Sequence, residues 1–171
     1  RIQENKYQQI TAGLEQLQNF PDNHFDFIVC HNVLEYVDNK EDYIKAFYRV
    51  LNKPGIISLV KHNSFGRIMQ RVIFENNLDL AIRELEFQSS VSQNFGEIKY
   101  YTKEDIIKWV EHYSFSIDNI WGIRTFFGLV QNNKIKYDEL WQEKMLAIEE
   151  KVCNIDAFKD IAFFNHIILS K

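Results

Sequence analysis

The chain has 171 residues, of which 46% are hydrophobic and 15% aromatic, so it can form one domain with a sizeable core. Its net charge of −4 excludes a general polyanion binder but still allows a local basic surface. Cys30 and Cys153 lack a CxxC spacing, which argues against a metal site or a disulfide framework and favours a reducing, cytoplasmic setting. No apolar run approaches the roughly 18 residues of a membrane helix, and the polar first residues do not form a secretory signal.

Residues 25–63 predict a strand, a helix and a second strand. The run 25–30 is almost wholly apolar, which is typical of a strand buried on both faces. Asp38 or Asn39 can cap the following helix, which ends at a Lys-Pro-Gly turn. Residues 56–60 form a second apolar strand of β-branched type. Together they make a βαβ unit, whose crossover is expected to be right-handed.

The rest of the chain alternates between helical and strand patterns. Thr102 followed by Asp105 resembles a capping box and predicts the start of a helix. The other predicted elements are a short strand at 10–12, an irregular helical region at 64–88, a polar loop at 89–99, a strand at 116–127, a helix at 137–152 and a final strand at 162–169.

Three segments then resemble a known family: FDFIVCHNVLEYV, YRVLNKPGIISLV and YTKEDIIKWVEHYSFSI follow the order seen in class I S-adenosylmethionine-dependent methyltransferases. A narrower resemblance, through HNVLEYV, HNSFGRIMQRVI and GIRTFF, is to bacterial tRNA methyltransferases that esterify 5-carboxymethoxyuridine at the anticodon wobble position. The resemblance implies an α/β, Rossmann-like sheet comprising the third to seventh strands with flanking helices. It also implies S-adenosylmethionine as the cofactor, and a helical or loop insertion at 64–100 on the substrate side.

One departure from the family concerns the cofactor loop. No G-x-G-x-G occurs in the 171 residues, so the family's first strand with its glycine-rich loop, and the second strand, are absent. Those two strands would lie at the centre of the sheet, between the third and the fourth. Either an N-terminal segment exists outside this sequence, or the chain cannot bind the cofactor in the family manner. We favour the first alternative.

The resemblance assigns cofactor contacts to His31 and to the turn Ala12, Gly13 and Leu14. His31 follows a predicted strand, where open α/β sheets place their ligands. It could equally cap the strand end without touching a ligand. The turn would lie beside the adenine ring, and as a plain tight turn it would look the same.

Arg124 is the candidate substrate-binding residue, because it is charged among large apolar neighbours and an arginine fork pairs bidentately with a carboxylate. The resemblance implies that it holds the substrate carboxylate. An arginine that reaches water from a strand edge is the alternative. A carboxylate is already deprotonated near neutral pH, so methyl transfer to it requires alignment and not a general base.

A second group of polar residues could bind an anticodon loop. Asn63, Arg67 and Arg71 follow the second predicted strand, and the two arginines share a helix face on which they could contact phosphates or pair with nearby acids. Glu35 and Tyr36 could face the methyl donor or pack the following helix.

The resemblance implies a methyltransferase that acts on a carboxylate of a modified tRNA wobble uridine. Two alternatives remain: a small-molecule methyltransferase with residues 64–99 as a lid, and a non-catalytic interaction module that has lost the cofactor loop. The fold by itself does not decide between them.

Overall fold

The computed structural model describes residues 7–86, 90–92 and 96–171. The helices are α1 (Lys40–Val50), α2 (Ser64–Ile73), α3 (Leu78–Leu85), α4 (Lys103–His112), α5 (Glu139–Val152) and α6 (Asp156–Lys159). The strands are β1 (Phe25–His31), β2 (Leu51–His62), β3 (Ser90–Ser92), β4 (Gly96–Ile98), β5 (Ser116–Ile123) and β6 (Phe164–Ser170). Of the described helices, none is both long and apolar enough to cross a bilayer.

Four strands form the main sheet in the order β1-β2-β6-β5, and β3 pairs with β4 in a separate hairpin. β1 and β2 are parallel, whereas β6 runs antiparallel to both β2 and β5. This order corresponds to the fourth, fifth, seventh and sixth strands of the expected sheet, so the predicted α/β class is confirmed. The carboxyl ends of β1, β2 and β5 consequently lie at one edge of the sheet.

One face of the sheet carries the core. Alternate residues of the strands pack against α1 and α4 on this face. The most deeply buried side chains include Ile57, Leu59 and Leu169 of the strands, and Ile44 and Ile106 of the helices. Each such side chain stabilises the fold by about 1.5–3 kcal/mol relative to leaving it in water. The capping box predicted for α4 is confirmed, since Thr102 and Asp105 exchange hydrogen bonds across the first turn.

The opposite face is open over β1. Phe27 and Val29 are 54% and 57% exposed, and Ile56 on β2 is 42% exposed. The prediction that residues 25–30 are buried on both faces is therefore wrong. Within the described part of the chain β1 pairs only with β2, so one long edge and one face of β1 lack neighbours.

Several predicted boundaries also change. Residues 10–12 form no strand, because the strand expected beside them has no counterpart in the sequence. The predicted loop at 89–99 contains the β3–β4 hairpin, although residues 89 and 93–95 lie outside the described residues. β6 begins two residues later than predicted, because the carbonyls of Ala162 and Phe163 accept hydrogen bonds from the side chain and backbone of Asn63.

Candidate functional site

The ligand-binding edge of the sheet collects several candidates. His31 ends β1, Asn63 follows β2, and Arg124 follows β5, all on the side where parallel strands terminate. Open α/β sheets bind their ligands in the crevice at this edge. The topology thus brings His31 and Arg124 to the same edge of the sheet, and their roles there stay predictions.

His31 belongs to a chain of three polar side chains. Its Nε2 lies 2.8 Å from Ser58 Oγ, and the same oxygen lies 2.8 Å from His166 Nε2. One hydroxyl donates a single proton, so one ring accepts from Ser58 while the other ring donates to it. Burial, and then the charge of His31, lower the pKa of His166. No sequence pattern could have identified this group, since its members come from three separate strands.

The turn Ala12, Gly13 and Leu14 immediately precedes and opens a short 3-10 helix, Leu14–Asn19. Ala12 and Gly13 are exposed, and the Gly13 N–H donates to Glu15 Oε1 over 2.8 Å. Arg49 of α1 holds the helix by donating to the Leu17 carbonyl over 2.6 Å. Among the described residues no hydrogen bond joins this turn to His31, so the cofactor role of both remains a prediction.

The loop after β1 packs inward at Glu35. This side chain is fully buried and accepts the His62 N–H over 2.5 Å, which favours the packing alternative over contact with a methyl donor. Burial raises the pKa of Glu35, and burial lowers that of nearby Lys61 to about 8. The Lys61 ammonium donates to the His62 carbonyl and lies 5.1 Å from the centre of the Tyr101 ring.

Arg124 has a strained backbone, with φ of 61° immediately after β5. Glu149 of α5 stabilises this turn because its carboxylate accepts the N–H groups of Thr125, Phe126 and Phe127 over 2.9, 2.7 and 2.7 Å. The prediction of a strand through residue 127 fails here, since a left-handed residue cannot continue an extended ladder. Sequence spacing gave no indication that Glu149 would hold this turn.

The Arg124 side chain is exposed and lies over two aromatic rings. Its guanidinium carbon is 5.6 Å from the ring centres of both Phe127 and Phe164. Arg124 also borders two cavities, a largely apolar one of about 620 Å³ beneath Trp121 and α5, and a smaller one of about 180 Å³ beside α2. The guanidinium can therefore meet a ligand from either side.

For Asn63 and Arg71 the structure favours internal partners over contact with phosphates. Asn63 is buried, and its amide donates to the carbonyls of Asp160 and Ala162. Arg71 is 5% exposed and pairs with Glu75 and Glu84, so its charge is already compensated. Buried guanidinium groups need such partners, and here Glu75 follows the end of α2 and Glu84 lies on α3.

Arg67, in contrast, retains unused donors. Its Nη1 donates to Gln70 Oε1 over 2.6 Å, while its Nε is buried without a hydrogen-bond partner among the described residues. No carboxylate of the described residues forms an ion pair with it. Of the polar residues predicted after β2, Arg67 alone still has a charge available to a ligand.

Comparisons with known proteins support the fold family. A methyltransferase-domain family profile matches residues 1–59. The tRNA 5-carboxymethoxyuridine methyltransferase of Escherichia coli (strain K12) is 21% identical over 148 residues, which are 85% of this chain and 54% of that protein. The chain thus spans about half the length of the curated relatives it matches.

Solved structures share the fold. An S-adenosylmethionine-dependent methyltransferase from Archaeoglobus fulgidus superimposes with a TM-score of 0.58 at 16% identity, covering 98% of this chain and 69% of that one. A protein from Listeria monocytogenes described as a putative methyltransferase of the same kind gives 0.55 at 12% identity, covering 89% and 64%. The chain has the Rossmann-like methyltransferase fold.

The described residues fit part of a site for S-adenosylmethionine, the cofactor that these comparisons support. The exposed His31 ring stands at the ligand edge, and the adjoining edge of β1 has no strand beside it among the described residues. The glycine-rich loop is not among the 171 residues. Contact of this edge with the cofactor stays a prediction.

Proposed function

We propose that the complete protein transfers a methyl group from S-adenosylmethionine to a carboxylate of a modified wobble uridine in tRNA. The observation that carries this proposal is Arg124, an exposed guanidinium without an acidic partner among the described residues, fixed at the ligand edge of a methyltransferase fold. Its fork suits a carboxylate better than an isolated ammonium would. The similarity of this chain to a tRNA carboxymethoxyuridine methyltransferase supports the same acceptor.

The roles of the chain's own residues follow from their chemistry. S-adenosylmethionine, when bound, supplies an electrophilic sulfonium methyl group. Arg124 would orient the acceptor carboxylate through one or two N–H donors, which leaves oxygen lone pairs free to attack. His31 and the turn Ala12, Gly13 and Leu14 are proposed to contact the cofactor. Residues 64–100, which include α2 and α3, are proposed to form part of the substrate side.

The test uses the full-length protein and tRNA bearing 5-carboxymethoxyuridine, with ester formation followed by mass spectrometry of the digested nucleosides. Arg124→Leu should lower esterification by about a hundredfold, because it removes a charge-assisted contact that aligns the reacting oxygen. Binding of S-adenosylhomocysteine should stay within about twofold of the wild type. Lys108→Leu, which removes an exposed positive charge of α4 outside the proposed substrate side, is the matched control.

Three outcomes would contradict this proposal. Full activity of Arg124→Leu on tRNA would remove the assigned role. Methylation of a cell extract that survives ribonuclease treatment would favour a small-molecule acceptor. Failure of the full-length protein to bind S-adenosylhomocysteine would favour an interaction module.

A further inference from the structure

Two arginines border one small cavity beside the candidate site. Arg67 of α2 and Arg124 after β5 both line a space of about 180 Å³, together with His62, Gln70 and aromatic side chains. None of the described residues that line it is acidic. The cavity therefore contains two positive charges with no counter-charge of its own.

Two other arginines of the chain have their positive charge compensated by carboxylates. Arg49 pairs with Asp22, and Arg71 pairs with Glu75 and Glu84. Arg67 and Arg124 have no carboxylate within ion-pair distance among the described residues. Desolvating a charged donor without a partner is costly, and the buried Nε of Arg67 is such a donor. An anionic ligand would remove this cost.

The backbone of Arg67 is held firmly against the start of β6. The side chain of the preceding Asn63 ties the beginning of α2 to the carbonyls of Asp160 and Ala162. At Gly66 a methyl group would lie 2.2 Å from the Ala162 carbonyl oxygen, so α2 is in direct backbone contact there. Arg67 is therefore positioned before any ligand arrives.

Arg124 is positioned by a separate set of contacts. Glu149 fixes the three N–H groups that follow Arg124, and the side chain lies across Phe127 and Phe164. Two anchored guanidinium groups lose little conformational freedom on binding, which favours affinity.

We infer that this cavity is an oxyanion site in which Arg67 acts together with Arg124 on an anionic group of the methyl acceptor. The inference deepens the proposed function and rests on it for the identity of the acceptor. The shared chemistry is a carboxylate or phosphate group held by two guanidinium forks. Its source is either the uridine carboxylate or a phosphate of the tRNA backbone.

The size of the cavity limits what can enter. A cavity of about 180 Å³ has room for several water molecules. An oxyanion with a few waters fits this space, whereas a whole nucleoside would extend beyond it. The anionic group would enter and the base would remain outside.

His62 provides a reporter inside the cavity. Burial, and then the charges of Arg67 and Lys61, lower the pKa of its ring to about 4, so the ring is neutral at pH 7. A bound anion would offset those charges and raise this pKa. The change is visible in the pH titration of the ring proton by NMR, separately from any measurement of activity.

The experiment titrates the full-length protein with three probes: 5-carboxymethoxyuridine, uridine 3′-monophosphate and uridine. Arg67→Gln should weaken binding of an anionic probe about tenfold or more, since one charge-assisted contact is lost, and should leave uridine binding unchanged. The same probe should raise the His62 pKa in the wild type but less in Arg67→Gln. Arg67→Lys, which keeps the charge, should recover part of the affinity, and Lys108→Gln, a change at an exposed position of α4, should match the wild type.

The probes separate the two sources and the two proposals. If Arg67→Gln loses affinity only for 5-carboxymethoxyuridine, the anionic group is the uridine carboxylate. If it loses affinity only for uridine 3′-monophosphate, the group is a phosphate of the tRNA backbone. Equal affinity of wild type and Arg67→Gln for both anions overturns the site, even if tRNA is esterified normally. If Arg67→Gln loses anion binding while the wild type never esterifies tRNA, the site stands and the proposed function falls. Circular dichroism confirms that each variant is folded.

Discussion

The turn that presents Arg124 depends on a single carboxylate, and Glu149→Gln tests this dependence. Glu149 accepts three backbone N–H groups over 2.7–2.9 Å. A glutamine keeps one oxygen acceptor and places an NH₂ group where the second oxygen stood. If the remaining glutamine oxygen faces the N–H groups of Phe126 and Phe127, those two hydrogen bonds survive but lose the charge of the acceptor. The Thr125 N–H then faces the NH₂ group, which is another donor.

The expected cost follows from these contacts. A hydrogen bond to a charged group contributes about 1.5–3 kcal/mol and a neutral one about 0.5–1.5 kcal/mol. One lost bond (about 1.5–3 kcal/mol) and two bonds weakened by about 1–1.5 kcal/mol each would give about 3.5–6 kcal/mol if water were excluded. Because Glu149 is only partly buried, water replaces some of the loss, and about 2–3 kcal/mol is expected.

Urea unfolding monitored by circular dichroism measures this difference in unfolding free energy, provided that the dependence of the free energy on urea concentration is the same in both proteins. Glu143→Gln is the control, since it removes the same charge from an exposed position of α5. Affinity for 5-carboxymethoxyuridine should fall in Glu149→Gln but not in Glu143→Gln. If the two variants unfold within about 0.5 kcal/mol of each other, the carboxylate does not hold the turn.

Three further predictions concern single residues. Arg124→Gly should be more stable than Arg124→Ala by about 1 kcal/mol in urea unfolding, because glycine adopts φ of 61° without strain, and a less stable glycine variant would contradict this. Gly66→Ala should cost about 1–3 kcal/mol, since its methyl would clash with the backbone of Ala162, and a thermal scan equal to wild type would refute the close approach. The folded pKa of His62 lies at about 4, below its usual 6.5, so the unfolded chain binds more protons between these values. The free energy of unfolding should fall as pH drops through that window, more steeply in the wild type than in His62→Phe, and parallel curves would exclude a neutral buried ring.

Local chemistry made the element order predictable. The capping box of Thr102 and Asp105, and the apolar runs of β1 and β2, follow from rules that act within one segment. The burial of β1 was not predictable. The apolar side chains of Phe27 and Val29 predicted a buried strand, but whether they are buried depends on which other elements pack against them. An apolar run indicates what a strand can bury and does not supply its neighbours.

The candidate site divides in the same way. Arg124 stands out as a charge among aromatic residues, but its left-handed backbone and its tie to Glu149 come from tertiary contacts. Arg67 and Arg71 look alike in sequence, one helical turn apart. Only the packing of α3 against α2 shows that Glu84 compensates Arg71 and leaves Arg67 available.

The position of β6 has a consequence for how the sheet is completed during synthesis. β6 lies between β2 and β5, so those two strands have no direct ladder with each other. The ribosome makes β6 about a hundred residues after β2, which at about 5–20 residues per second leaves the edge of β2 unpaired for seconds. During that interval the nascent chain offers an apolar strand edge to chaperones or to other chains. A stop codon placed just before Phe164 would therefore remove the ladders of both neighbours at once, and the truncated chain should fail to form the sheet.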